Sequence, residues 1–293
     1  MFRVSRLFKL IASVLMFAIG LLLALALNAS GARPVSASSD VWTWQNPLPQ
    51  GNPLLGVSCP STTACKAVGA AGTILSWNGT SWSADTSGLT KWLFGVSCPS
   101  TTVCKAVGLY DPVAGTGTIL SWNGTSWSAD ISGTTNDLYG ASCLSATRCK
   151  AVGWAGTIVS WKGTSWSADT SSTMSNLWSV SCPSAIRCKA VGYSGTILSW
   201  NGTSWSAGIS GTMNDLNGVS CPSAIRCKAV GWGGTILAWN GTSWSADDSG
   251  TINGLQGVSC PSTTVCEVAG QRGTILGTGA VPMHHLFLPL IRR

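Results

Sequence analysis

The chain has 293 residues, with 9% charged, 16 tryptophans, 35 glycines and 12 cysteines, a balance that suits an all-β protein with a substantial core. The formal charge of +7 gives little support to nucleic-acid binding. Arg3, Arg6, Lys9 and Arg33 lie in a leader, and the 13 basic residues left against 10 acidic ones form no basic cluster.

Arg3, Arg6 and Lys9 precede an apolar run from Leu10 to Leu27, and Val35-Ser36-Ala37 offers a small-residue cleavage site. Residues 1–37 therefore read as a secretory signal peptide. The other reading is an uncleaved anchor, because such a run can just span a bilayer. Under both, the rest of the chain is secreted or held at the cell surface, and membrane contact is expected only if the leader is kept.

All the cysteines follow the leader, as Cys59/Cys65, Cys98/Cys104, Cys143/Cys149, Cys182/Cys188, Cys221/Cys227 and Cys260/Cys266. An even count in an exported chain favours six local disulfides. Zinc knuckles space their cysteines by two to four residues, against five here, so no metal is expected. No cofactor is expected either.

The first cysteines of the pairs are 39, 45, 39, 39 and 39 residues apart, the longer step being explained by an insertion around 109–117. A fixed period near 40 signals a repeat architecture. Within one unit, LFGVSC (93–98), VCKAVG (103–108), GTILSW (117–122) and TSWSAD (125–130) read as four strands. Asn-Gly between the third and fourth predicts a type I′ hairpin, with positive φ at both central residues. The Asn-Gly-Thr triplets also match glycosylation acceptors, but Lys162 stands in the asparagine's place in the third unit while Gly163 and both flanking tryptophans remain. A turn tolerates that change and an acceptor does not. The repeated tryptophans are expected to pack between neighbouring sheets.

Six such units predict an all-β fold, a six-bladed β-propeller of four-stranded antiparallel blades over residues 38–279, followed by a tail at 280–293. A linear β solenoid is the alternative. The last unit stops after its third strand, and an orphan VWTWQNP stretch precedes the first. Trp82 precedes Cys98 by 16 residues and Trp44 precedes Cys59 by 15. The N-terminal strand is thus expected to complete the last blade and close the ring, hiding two edges.

The units GVSCPSTTVCKAVG…GTILSWNGTSW resemble the BNR/WD-type propeller repeats of secreted bacterial proteins over about residues 41–279. Ser76, Asn78 and Trp82 are similar to an Asp-box, with Asn in place of Asp and the Trp one residue early. The resemblance implies the fold and not an activity, since related propellers include enzymes and binding modules.

Catalytic groups are scarce. His284 and His285 lie in the tail, and Glu267 is the sole glutamate. Asp85, Asp130, Asp169 and Asp247 recur once per unit on the fourth strand and are expected at a solvated outer rim. Arg148, Arg187 and Arg226, like Lys66, Lys105, Lys150, Lys189 and Lys228, are repeat-equivalent and so are expected as rings of solvated charge, attractive to anionic polymers. No convergent acid–base set emerges, and the chain is read as non-catalytic.

The loops are more informative. The first-to-second and third-to-fourth connections are almost copied and share one face. The other two connections vary, and their face collects Trp92, Phe94, Tyr110, Tyr139, Trp154, Trp178, Tyr193 and Trp232. Aromatics in loops on a rigid scaffold suit recognition of a glycan or an extracellular protein by a monomer. A structural cell-surface scaffold is the alternative, and a glycan-active enzyme the remote one.

Overall fold

The computed structural model describes residues 51–278. They form six antiparallel sheets, each in simple sequential strand order: the expected six-bladed, all-β propeller. Blade 1 comprises Leu54–Ser61, Ala64–Gly69, Ile74–Trp77 and Trp82–Asp85, and blades 2 to 5 repeat it. In blade 6 the described strands are Leu255–Ser259, Cys266–Gly270 and Ile275–Thr278. The first strand of each blade is innermost and packs beside the first strand of the next. The leader, the closing strand expected at 41–47 and the tail with His284 and His285 lie outside the described residues.

Sheets flanked by two others are buried on both faces, and this explains the apolar KAVG and TIL runs of the middle strands. One face of blade 1 contributes Val68 and Ile74. Against them blade 2 places Leu93, Val96, Cys98, Cys104, Ala106 and Leu120, with Trp122 and Trp127 at the edge. The same core recurs between later blades.

All six expected disulfides are present, from Cys59–Cys65 to Cys260–Cys266, each with its Cα atoms 4.0–4.1 Å apart. Each spans the first hairpin of its blade, and Cys149 and Cys143 are direct cross-strand partners. On the chain-entropy account so short a loop is worth about 2 kcal/mol. The bonds are not six equivalent copies, however, and Cys65 is the departure. Cys104, Cys149, Cys188, Cys227 and Cys266 are buried, whereas Cys65 is only half-buried and Cys59 is exposed. The cause is position in the stack. The cysteine face of a blade packs on the blade before it, as Cys98 and Cys104 pack on Val68 and Ile74, and the cysteine face of blade 1 is the open end of the described stack.

The inner strands meet closely. A Cβ built on Gly56 would lie 2.9 Å from Phe94 O, and one on Gly95 would lie 2.9 Å from Tyr139 O. Nearby, Ser58 Oγ accepts a hydrogen bond from the Cys98 N–H at 2.9 Å. Ser97, Ser142, Ser181 and Ser220 do the same for Cys143, Cys182, Cys221 and Cys260.

The lysine and aspartate rings differ from expectation. Lys66, Lys105 and Lys150 form ion pairs with Asp85, Asp130 and Asp169 at 2.5–2.7 Å, with every side chain at most 16% exposed. Each lysine also donates to a third-strand serine, Ser76, Ser121 or Ser160. Its ammonium then lies 3.3–3.7 Å from the ring centroid of Trp122, Trp161 or Trp200 in the following blade. The second tryptophan of that blade donates its indole N–H to the same aspartate, at 3.0 Å in all three cases. Strand alternation is the reason: lysine, serine and aspartate share the face that meets the next blade. Only Lys228–Asp247, whose neighbour blade 6 has three described strands, stays partly exposed.

The Asn-Gly turn also differs. Trp77 pairs with Trp82, so the loop has four residues, and φ is positive at Gly79 (96°) but not at Asn78. Asn78 is used for its side chain, whose Oδ1 accepts from the N–H groups of Thr80 and Ser81 and from the Thr80 hydroxyl. Lys162 forgoes these bonds, while Gly163 keeps the turn at φ 94°.

Burial opposes ionisation of Asp85, but hydrogen bonds from Lys66, Ser76 and Trp127 outweigh it and hold the carboxyl below its usual pKa. Asp85→Ala leaves Lys66 buried without its counter-ion and is expected to cost about 3–5 kcal/mol at pH 7. A depressed carboxyl pKa adds stability above the unfolded value, about 4, and loses it as pH falls through the folded value. The deficit measured by urea unfolding should therefore narrow in acid below pH about 4.

Candidate functional site

The second-to-third connections that shape the variable face are single 3-10 turns: Ala70–Gly72, Trp154–Gly156, Tyr193–Gly195, Trp232–Gly234 and Gln271–Gly273. In the first four of these turns the last glycine is required twice over. Gly156 has φ 72°, and a Cβ there would lie 2.0 Å from Thr173 O of the adjacent connection. The first residue of each turn is tied by its N–H: Trp154 to Asp137 O, Tyr193 to Asn176 O and Trp232 to Asp215 O, at 2.9–3.0 Å. Fixed at the base, these three side chains project and stay 46–54% exposed. In blade 2 the insertion lengthens the hairpin to Val103–Asp111 and Thr116–Trp122, which carries Tyr110 outward.

A second set lies further in. Phe94, Tyr139 and Trp178 occupy the same inner-strand position in blades 2, 3 and 4, where blades 5, 6 and 1 have Asn217, Gln256 and Leu55. Their rings touch in series. Trp92 lies 6.3 Å from Phe94, Phe94 meets Tyr139 edge-on at 5.4 Å, and Tyr139 meets Trp178 at 4.9 Å. The eight aromatics expected from the sequence thus divide into a continuous inner arc, Trp92–Phe94–Tyr139–Trp178, and separate outer residues, Tyr110, Trp154, Tyr193 and Trp232.

Carboxylates stiffen the outer set. Asp137 Oδ1 accepts from Tyr110 N and Asp215 Oδ1 from Ser194 N, both at 2.7 Å. Burial, reinforced by Asp137, pushes the Tyr139 phenol up to about 12. The connections of this face and the strand ends beside them carry Asp111, Asp137, Asp215 and Asp248 against Lys91 and Arg272, whereas those of the opposite face carry Arg148, Lys162, Arg187 and Arg226. The two faces therefore differ in sign.

The opposite face also has relief that the sequence does not announce. Grooves run between successive blades, and the one between blades 3 and 4 encloses about 540 Å³. Its walls include Arg148, Lys150, Lys162, Asp169, Trp161 and Trp200. Disulfide cysteines border these grooves too, Cys98 and Cys104 lining the one between blades 1 and 2. Among the described residues no three metal-ligating side chains converge. The signal for the buried polar network is present as a Lys, Ser and Asp spacing of 10 and 9 residues at 66/76/85 and 150/160/169. It needs strand parity to be read as one face.

Comparison with solved structures places the fold among WD-type propellers. The WD40 repeats of RRP9 superpose with a TM-score of 0.64 at 9% identity, over 76% of this chain and 75% of that one. U3-55K gives 0.64 at 10% identity, over 76% of both chains. YCF48 from Cyanidioschyzon merolae gives 0.51 at 15% identity, over 80% of this chain and 98% of that one. At these identities the likeness is one of fold. No family profile and no curated protein matches the sequence.

An acidic group whose pKa rises on folding contributes stability below its unfolded pKa and loses it as pH climbs towards the folded value. For Tyr139 that window runs from about 10 to about 12. Ultraviolet titration should show one phenolate step near pH 12 that Tyr139→Phe removes.

Proposed function

We propose that the protein is an exported, non-catalytic binding module that recognises a glycan on its variable face. The supporting observation is the arc Trp92–Phe94–Tyr139–Trp178, four rings in series at the innermost strands. Aromatic side chains offer flat apolar area with little rotamer entropy to lose, and sugar rings present C–H faces that stack on such area. The Asp137 carboxylate, which accepts from the Tyr139 hydroxyl, places a polar group beside the arc. The outer Trp154, Tyr193 and Trp232 extend the apolar surface from the centre towards the rim, so a chain longer than one sugar is accommodated.

The six disulfides and the leader support export. A non-catalytic role is favoured by the use of carboxylates in structure. Asp85, Asp130 and Asp169 are consumed between blades, and Asp137 and Asp215 hold loop N–H groups.

The test is an array of cell-wall and extracellular glycans probed with the oxidised chain. Trp178→Ala should lower affinity about 30-fold, the loss of a hot spot of about 2 kcal/mol, with near-ultraviolet circular dichroism confirming the fold. Trp154→Ala/Trp232→Ala should weaken long glycans more than short ones. A blank array from folded protein defeats the glycan reading and points to a protein segment on the same arc.

A further inference from the structure

The lock between blades 4 and 5 is built differently from the rest. Lys189 sits where Lys66, Lys105 and Lys150 sit: 8% exposed, donating to Ser199 Oγ at 2.8 Å, and 3.5 Å from the Trp239 ring centroid. Yet Gly208 occupies the position of Asp85 and Asp130, opposite Ile197 in the strand register. Among the described residues Lys189 therefore has no carboxylate partner. The second tryptophan of blade 5 shows the same deficit. Trp244 Nε1 is buried without a hydrogen-bond partner, whereas Trp127, Trp166 and Trp205 each donate to the aspartate of the preceding blade.

Two buried donors, a cation and an indole N–H, thus converge on the place where three sister sites hold a carboxylate. In two sister sites that place borders a groove. Asp85 and Asp169 line the grooves between blades 1 and 2 and between blades 3 and 4. The equivalent groove between blades 4 and 5, about 450 Å³, is lined by Lys189, Ser199, Asn201 and Arg187. The difference between glycine and aspartate is a CH₂–COO⁻ group, which is the size of acetate.

We propose that the groove between blades 4 and 5 is a binding site for an acetate-sized carboxylate, held by Lys189 and Trp244 as the aspartate is held in the sister blades. Charge-assisted bonds of this kind are the stronger class, and both donors are already in place. Arg187 and Lys189 are the charged residues lining this groove, and both favour an anion. Burial first, and then Arg187, lower Lys189 to about 8. A bound carboxylate stabilises the ammonium, so binding is strongest below pH 8 and fades as pH rises above it. The site is independent of the aromatic face, on which the glycan reading rests.

The test follows the Trp244 indole ¹⁵N–H signal, assigned with Trp244→Phe, while sodium acetate is titrated into the full chain at constant ionic strength against sodium chloride. A saturable acetate-specific shift is expected, with the Lys189 titration midpoint moving upward from about 8. Gly208→Asp should abolish both responses by supplying the carboxylate within the chain. The variant has room: a Cβ at Gly208 lies 3.6 Å from Ile197 Cγ2, an ordinary contact. Lys189→Met should also lose the shift. A parallel titration with glucuronate separates a free acid, if only acetate acts, from a carboxyl carried on a sugar, if both act. A Trp244 signal unmoved by either anion, or moved equally in Gly208→Asp, overturns the proposal.

Discussion

The propeller depends on a lysine ammonium held in a nearly dry seam between two sheets. Placing that charge out of water costs several kcal/mol unless every direction around it is satisfied. Here the same blade supplies the carboxylate and a hydroxyl, and the next blade supplies an indole face and an indole N–H to the carboxylate. A desolvated cation–π contact adds about 2 kcal/mol. An apolar seam would tolerate sliding of one sheet over another. A seam with one point charge does not, because sliding would carry the ammonium off its indole face and the carboxylate off its indole N–H.

The same seams explain why function is pushed to the two ends of the barrel-like stack. The sheet faces are consumed in packing, as are most of the disulfides, which sit in the same cores. Side chains free to meet a ligand come from the connections and the inner-strand ends. On one end those connections vary and are aromatic and acidic. On the other they are copied, basic, and separated by grooves that reach down to the locks.

Much of the fold is legible in the sequence. Six cysteine pairs at one spacing, four β-rich segments per period and turn residues between them leave few architectures, and the pairings follow from local reach. What escapes is what depends on the face to which a residue points. Asp85 and Lys66 read as solvated because their residue types favour water, and only the register, which sets Lys66 opposite Ser76, shows them sharing a seam. Asn78 reads as a backbone signal and acts through its side chain. Tryptophans identical in motif also part ways: Trp205 finds Asp169, while Trp244 meets a blade that ends in glycine. Cys65 and Cys104 are likewise the same letter in the same motif, yet among the described residues only Cys104 has a blade packed over it. A sequence pattern reports similarity between units more readily than the consequence of one departure. The aromatic arc is foreseeable as a set of residues, but the contiguity of Phe94, Tyr139 and Trp178 emerges only from the fold.

Every lock has a direction. Lysine and aspartate belong to the leading blade and both tryptophans to the following one, just as each serine of one inner strand serves the cysteine N–H of the next. Such head-to-tail contacts are heterologous, and unlike two-fold contacts they do not end of themselves. The described stack accordingly begins and finishes with unlike surfaces. Leu54 and Val57 are 43% and 64% exposed at one end, where Leu93 and Val96 are at 0% and 8%, and Ile275 is 63% exposed at the other. Those two surfaces repeat the apolar part of a seam, although Glu267 and Gly277 stand on blade 6 where the locks have lysine and serine. Meeting within one molecule they make a finite ring; meeting between molecules they would propagate a fibre, so the geometry of closure also sets the boundary between a soluble particle and a polymer.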